Sequence, residues 1–187
     1  MASAKKSPAG ECHVALLRGL NLGGRRIPMP ELARLFEKAG CTGVRTYIAS
    51  GNVVFRAGTP LAKKIAGVIA ADIEHKYGFE CPVIVRDTKA MQTIARGNPY
   101  LRAGHDPKWL HVVFLADTPA KAAVASLDPG RSPGDEYVVK GGEIYLYLPN
   151  GAARSKLTNQ YFDSRLKTVS SGRNWNTVMT LLELMQD

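Results

Sequence analysis

The chain has 187 residues, 45% of them hydrophobic by type and 22% charged, with a formal net charge of +9 at pH 7. No apolar run approaches the roughly 20 residues needed to span a bilayer, which leaves one large or two small globular domains. The positive balance favours polyanions, anionic substrates or acidic partners, although part of it lies in the N-terminal tail and on helix faces, where Lys and Arg also serve solubility.

The first eleven residues, MASAKKSPAGE, are small, polar and basic. They lack the apolar core of a secretory signal, so residues 1–11 read as a disordered tail. An apolar strand follows over 12–18 and breaks into RGLNLGGRR. A helix over 29–39 starts at Pro28 and Pro30 and stops at Gly40, with Leu32, Leu35 and Phe36 spaced for one buried face. Strands at 44–49 and 53–56 meet across Ser50-Gly51-Asn52, a tight hairpin signal. An amphipathic helix over 61–77 ends at Gly78. A strand over 81–86 carries Pro82, which places it at a sheet edge. The order is β-α-β-β-α-β.

The second half opens with a connecting helix over 88–95 and a Pro/Gly-rich loop over 97–107. It continues with a strand (110–115), a helix (120–126), strands at 136–139 and 143–148 across Gly141-Gly142, a helix (155–166) with Ser155 as its N-cap, and an extended piece at 167–170. A last helix covers 176–185. The expected fold is therefore α+β: two tandem ferredoxin-like (βαββαβ) subdomains with antiparallel or mixed sheets and an added C-terminal helix. Subdomain 1 spans 12–87, the connecting helix and loop 88–108, and subdomain 2 109–187.

In this topology the third strand lies between the first and second, antiparallel to both. The exit of strand one then sits beside the entry of strand three. That gathers Arg18, Asn21, Gly23 and Gly24 with Ser50, Gly51 and Asn52. Glycine lets backbone N–H groups face a ligand, and Arg18, Arg25 and Arg26 can grip a phosphate or carboxylate. The alternative is a purely structural loop, with Gly51-Asn52 as hairpin chemistry and Asn21 as a loop cap. RGLNLGG is not the dinucleotide fingerprint, because its spacing differs and the acidic ribose partner is absent.

A second cluster is expected in the other half, where LPNGAARSKLTN and SSGRNWNT leave two parallel strands at one end of a sheet. It would bring together Asn150, Gly151, Arg154, Ser155, Lys156, Asn159, Arg173, Asn174, Trp175 and Asn176, facing the positive end of a helix capped by Ser155. Lys156 and Arg173 would form the anion-binding pair. The structural alternative is a capped helix pair, with Asn174 or Asn176 capping the last helix and Trp175 packed as a wedge. Gly-x-x-x-Ser-Lys is one residue short of phosphate-loop spacing and lacks its second glycine.

Neither cluster contains a pair of carboxylates. His13, His75, His105 and His111 show no ligand spacing, and Ser50 and Ser155 have no identifiable base. No catalytic residue, cofactor or metal site is assigned. Cys12, Cys41 and Cys81 are far apart and odd in number, which makes neither a zinc site nor a disulfide framework and fits a reducing, cytoplasmic setting. Tyr145 and Tyr147 alternate on one strand, as base-stacking aromatics do in RNA-recognition domains, but the matching consensus is absent and a core or surface role is the plainer reading.

The runs VALLRGLNLGGRRIPMPEL, VRTYIASGNVVF, PVIVRD, LHVVFL, IYLYLPNGAARSKLTN and RNWNTVMTLLEL, in this order, closely resemble the domain of unknown function 1697 family from about Cys12 to Leu184. The resemblance implies a small bacterial protein with two ferredoxin-like subdomains. It places family-typical positions on Arg18, Gly19, Asn21, Gly23 and Gly24, on Tyr47, Ser50, Gly51 and Asn52, and on Pro149, Asn150, Gly151, Ser155, Lys156, Leu157, Asn159, Arg173, Asn174, Trp175, Asn176 and Thr177. Many relatives carry Gln where this chain has Ala49. The resemblance assigns no activity. The leading expectation is an anion-binding module for nucleic acid or a nucleotide-like phosphate compound. The others are an enzyme acting on a small phosphorylated or carboxylated metabolite, and a module that binds acidic proteins. Oligomeric state is not legible.

Overall fold

The computed structural model describes residues 10–186. The expected tail falls almost wholly on residues 1–9, outside the described residues; Glu11, assigned to the tail, instead opens the first strand. The protein is mixed α+β, with two four-stranded antiparallel sheets and, among the described residues, seven α-helices. Two compact units divide it, one running through Thr88 and including the residues from Leu184, the other spanning Lys89–Glu183. No helix among the described residues is long and apolar enough to cross a membrane.

The first unit contains β1 (Glu11–Leu17), α1 (Met29–Lys38), β2 (Thr42–Tyr47), β3 (Asn52–Ala57), α2 (Thr59–Tyr77) and β4 (Val83–Asp87). The strands lie in the order β2-β3-β1-β4. Strand β4, which follows Pro82, is at an edge, as expected. Alternation in β1 and β3 sends Ala15, Leu17, Val53, Phe55 and Ala57 to one face, where they meet Leu32, Leu35 and Phe36 of α1 and Ile65, Ile69 and Ile73 of α2. Ile65, Ile69 and Ile73 recur every four residues and are fully buried. Each contributes about 1.5–3 kcal/mol relative to an exposed side chain. Gly78, at φ 74, ends α2 in the left-handed conformation that glycine adopts without a Cβ penalty.

The second unit contains most of α3 (Thr88–Gly97), then α4 (Pro99–Arg102), a single 3₁₀ turn (Pro107–Trp109), β5 (Leu110–Leu115), α5 (Lys121–Ala125), β6 (Glu136–Lys140), β7 (Glu143–Tyr147), α6 (Asn159–Leu166), β8 (Ser170–Asn174) and α7 (Trp175–Leu184), which ends at the first residue returned to the other unit. The strand order is β6-β7-β5-β8. Val113, Leu115, Ile144 and Leu146 face Tyr161, Phe162 and Leu166 of α6, and Leu127 and Leu157 close that core.

Three sequence expectations change here. The loop over 97–107 holds a helical turn, because Asn98 accepts hydrogen bonds from the Tyr100 and Leu101 N–H groups (3.0 and 3.3 Å) with Pro99 next to it. Helix α6 begins at Asn159 rather than 155. Its cap is Thr158, whose Oγ1 accepts from Tyr161 N–H at 3.2 Å, while Ser155 Oγ accepts from Leu157 N–H in a local turn. The extended piece placed at 167–170 is displaced to Ser170–Asn174, because Lys167 is the left-handed C-cap of α6 at φ 56.

Candidate functional site

In the first unit the exit of β1 and the β2–β3 hairpin are neighbours. The Leu17 N–H donates to Gly51 O at 2.8 Å. The Asn21 amide joins the two segments. Its Nδ2 donates to Ala49 O at 2.5 Å, and its Oδ1 accepts from Ile27 N–H at 3.1 Å. Asn21 takes φ 60, a conformation Asn tolerates better than most residues. Its own N–H donates to Arg25 O at 2.7 Å, which closes the loop over 21–25. Ser50 and Asn52 serve the hairpin: Asn52 is fully buried, and its Nδ2 donates to Tyr47 O at 3.1 Å and Ser50 Oγ at 2.9 Å. The Arg18 N–H donates to Pro82 O at 2.9 Å.

The tip of this loop is exposed from Leu22 through Arg26. Gly23 and Gly24 have φ 57 and 89, and neither would meet another atom within 4 Å if a Cβ were added. The Arg25 and Arg26 N–H groups turn back onto Leu22 O and Gly24 O. The N–H groups of Leu22, Gly23 and Gly24 donate to no acceptor among the described residues. The Arg25 guanidinium stands 6.0 Å over the Phe79 ring. Beside the loop is an open recess of about 410 Å³ lined by Asn21, Arg26, Ile27, Pro28, Met29 and Ala49.

Two features here escaped sequence reasoning. Leu22 and Ile48 are large apolar residues left 69% and 52% exposed. Ile48 also has φ 48, unusual for a β-branched side chain. No local sequence signal announces that backbone, since the hairpin motif points to Gly51 and Asn52. The Ile27-Pro28-Met29 lining was legible only as the start of a helix.

The second cluster is only partly assembled. Asn174 is a cap, accepting from Thr177 N–H at 2.8 Å; Trp175 is buried in α7, and Asn176 is exposed on it. Asn159 lies over Gly172, its Oδ1 3.2 Å from where a Cβ would stand. Asn150 approaches Gly134 in the same way at 3.0 Å, and Gly151 closes a turn onto Leu148 O with φ 85. The Lys156 N–H donates to Ser132 Oγ at 3.0 Å, ahead of β6, and the Lys156 side chain is exposed.

Arg173 sits inside β8, not in a loop beyond it, and is only 9% exposed. It lies along its own strand, Nη1 donating to Ser171 Oγ at 2.9 Å and Gly172 O at 2.7 Å. Its register partner is Val112, so it leaves the sheet on the face opposite Val113 and the α6 core. Lys156 is tied on the β6 side and Arg173 lies at the β8 edge. The Ser155-capped helix end on which the expected Lys156–Arg173 pair rested is replaced by one capped at Thr158.

All three cysteines are buried and outside any disulfide. Burial pushes the Cys41 thiol up to about 11 and raises that of Cys12, against the pull of Arg56 and Arg45. Both remain protonated near neutrality, the opposite of an activated nucleophile.

The family model described as Protein of unknown function (DUF1697) matches residues 11–145. The solved structure of conserved bacterial protein SP0830 from Streptococcus pneumoniae is similar over 96% of this chain and 100% of that one, with a TM-score of 0.71 at 18% sequence identity. That similarity speaks to the fold alone. No curated protein matches the sequence.

Proposed function

Because the chain belongs to the DUF1697 family, whose description carries no activity, we propose a function from its own geometry: an anion-binding module for nucleic acid or a nucleotide-like phosphate compound. We read each unit as a ferredoxin-like βαββαβ subdomain, consistent with the strand orders β2-β3-β1-β4 and β6-β7-β5-β8, in a cytoplasmic bacterial protein. The observation that carries the function is the loop tip. Three successive N–H groups, Leu22 to Gly24, have no acceptor among the described residues, and the exposed Arg25 and Arg26 follow them directly. Successive free N–H groups in left-handed turns form a concave donor surface for an oxyanion, and guanidinium forks add bidentate charge. Asn21 fixes this surface to the hairpin, so less ordering entropy opposes binding.

The test is the salt dependence of binding to single-stranded RNA or DNA. Wild-type protein binds near 50 mM salt, a permissive condition, and log affinity falls linearly with log salt. The double change Arg25→Ala and Arg26→Ala weakens binding and flattens that slope by about 1.4, the release expected from two single-strand phosphates. Absence of wild-type binding at that salt refutes the proposal. An unchanged affinity and slope in the folded double variant assigns the loop a structural role.

A further inference from the structure

We infer that the recess beside the loop is a seat for one unpaired base of a single-stranded nucleic acid, with Arg25 and Arg26 holding the flanking phosphates. The inference rests on the anion-binding reading of the same loop and adds the part of the ligand that the charges do not explain.

A site for phosphate alone needs only donors and charge. This one adjoins an open recess of about 410 Å³ in which four of the six lining residues, Ile27, Pro28, Met29 and Ala49, are apolar. The size and mixture suit a small, largely apolar moiety oriented by few polar groups. Asn21 also lines the recess, and its hydrogen bonds with Ala49 O and Ile27 N–H hold it in the wall. Arg26 is the charged member of the lining and joins the recess to the loop tip.

Two large exposed apolar side chains sit next in sequence to residues that line the recess. Leu22 is on the cationic loop, and Ile48 is on the hairpin segment that carries Ala49. The Asn21–Ala49 hydrogen bond ties these two segments together. The Ile48 backbone is held at φ 48, and its side chain is left half in water. Apolar groups exposed beside clustered positive charge match a ligand with a flat apolar face and a negative backbone. Every base has such a face, so contact of this kind is tolerant of sequence. A stacked duplex hides those faces, and free inorganic phosphate has none. The Met29 thioether provides the polarisable contact that aromatic rings favour.

The test compares two oligonucleotide probes of equal length and charge, a 12-nucleotide single-stranded DNA and the same backbone made of abasic sites, followed by fluorescence anisotropy across a salt series. Wild-type protein should bind the base-bearing strand at least about fivefold more tightly, with the same salt slope for both probes. Ala49→Leu fills the recess from an exposed position and leaves the Ala49 carbonyl in place. It should bring the base-bearing probe down to the abasic affinity without changing the slope. Leu22→Ser, at a site too exposed to endanger folding, should remove part of the same preference. Equal wild-type affinities for the two probes, with a steep salt slope, overturn the base seat while leaving the anion-binding reading intact. A preference unchanged in Ala49→Leu and Leu22→Ser also overturns it. Binding of neither probe near 50 mM salt refutes both.

Discussion

Replacing Gly51 by Ala measures how tightly the hairpin is pressed against the end of β1. A β-carbon at Gly51 would stand 2.9 Å from Leu17 Cβ, 3.2 Å from the Leu17 carbonyl oxygen and 3.2 Å from Leu20 Cβ. Leu17 and Leu20 are both buried and cannot swing away into solvent. The φ of +77 adds a backbone penalty of about 1–2 kcal/mol for any L-residue. Overpacking adds about 1–3 kcal/mol, for a total loss of about 2–5 kcal/mol. Gly23→Ala is the matched control. It has φ +57 and open space around the new methyl, so it carries the backbone penalty alone. Both substitutions restrict the unfolded chain equally, and that contribution cancels in the comparison. Urea denaturation of the two variants beside wild type should show Gly51→Ala the less stable by about 1–3 kcal/mol. If the two changes cost the same to within about 0.5 kcal/mol, the close approach of hairpin and strand exit is wrong, and so is the geometry of the proposed site.

Two further outcomes test other parts of the fold. Thr158→Ala should cost about 1 kcal/mol, the usual loss for an N-cap, and Ser155→Ala clearly less; the reverse order in thermal melts would return the start of α6 to 155. Burial pushes the His111 imidazole below its ordinary pKa, partly opposed by a hydrogen bond with the Trp109 backbone. The unfolded chain then binds a proton that the folded chain refuses. Above about pH 6.5 this residue adds no pH dependence; below it, stability falls by up to about 1.4 kcal/mol per pH unit until the lowered pKa is reached. His111→Phe should remove that share of the slope between pH 7.5 and 5, and an unchanged slope would refute the assignment.

Much of the architecture was legible because local chemistry and tertiary packing agree. The four-residue spacing of Ile65, Ile69 and Ile73, the glycine stops at 40 and 78 and the run leading into Arg18 each state one structure. Strand order alone then placed the Arg18–Asn21 exit beside the hairpin. The second cluster failed where several residues could play one part. Ser155 and Thr158 are both competent caps, and it is Thr158 that stands just before the Tyr161 and Phe162 packed in the core. The SSGRN segment has weak strand propensity, yet its register with β5 holds it extended, and Ser170 Oγ donates to Asp163 Oδ1 of α6 at 2.6 Å. A sequence reading puts Arg173 in a loop because a charged residue in a buried strand is rare. The helical turn after Asn98 was readable in principle, since Asn-Pro supplies both cap and first-turn residue.

The Asn21 bridge joins segments 28 positions apart in sequence through one side chain. Local opening in such an arrangement is shared: the loop cannot lift without releasing the Ile27 N–H, nor the hairpin withdraw without releasing Asn21. In amide hydrogen exchange, the Asn21 and Ile27 N–H groups should thus lose protection together, as one cooperative unit. The Leu22, Gly23 and Gly24 amides, with no acceptor among the described residues, should exchange at rates close to those of an open chain. A sharp boundary in exchange would then run along the tip, between donors spent on holding the loop and donors left over.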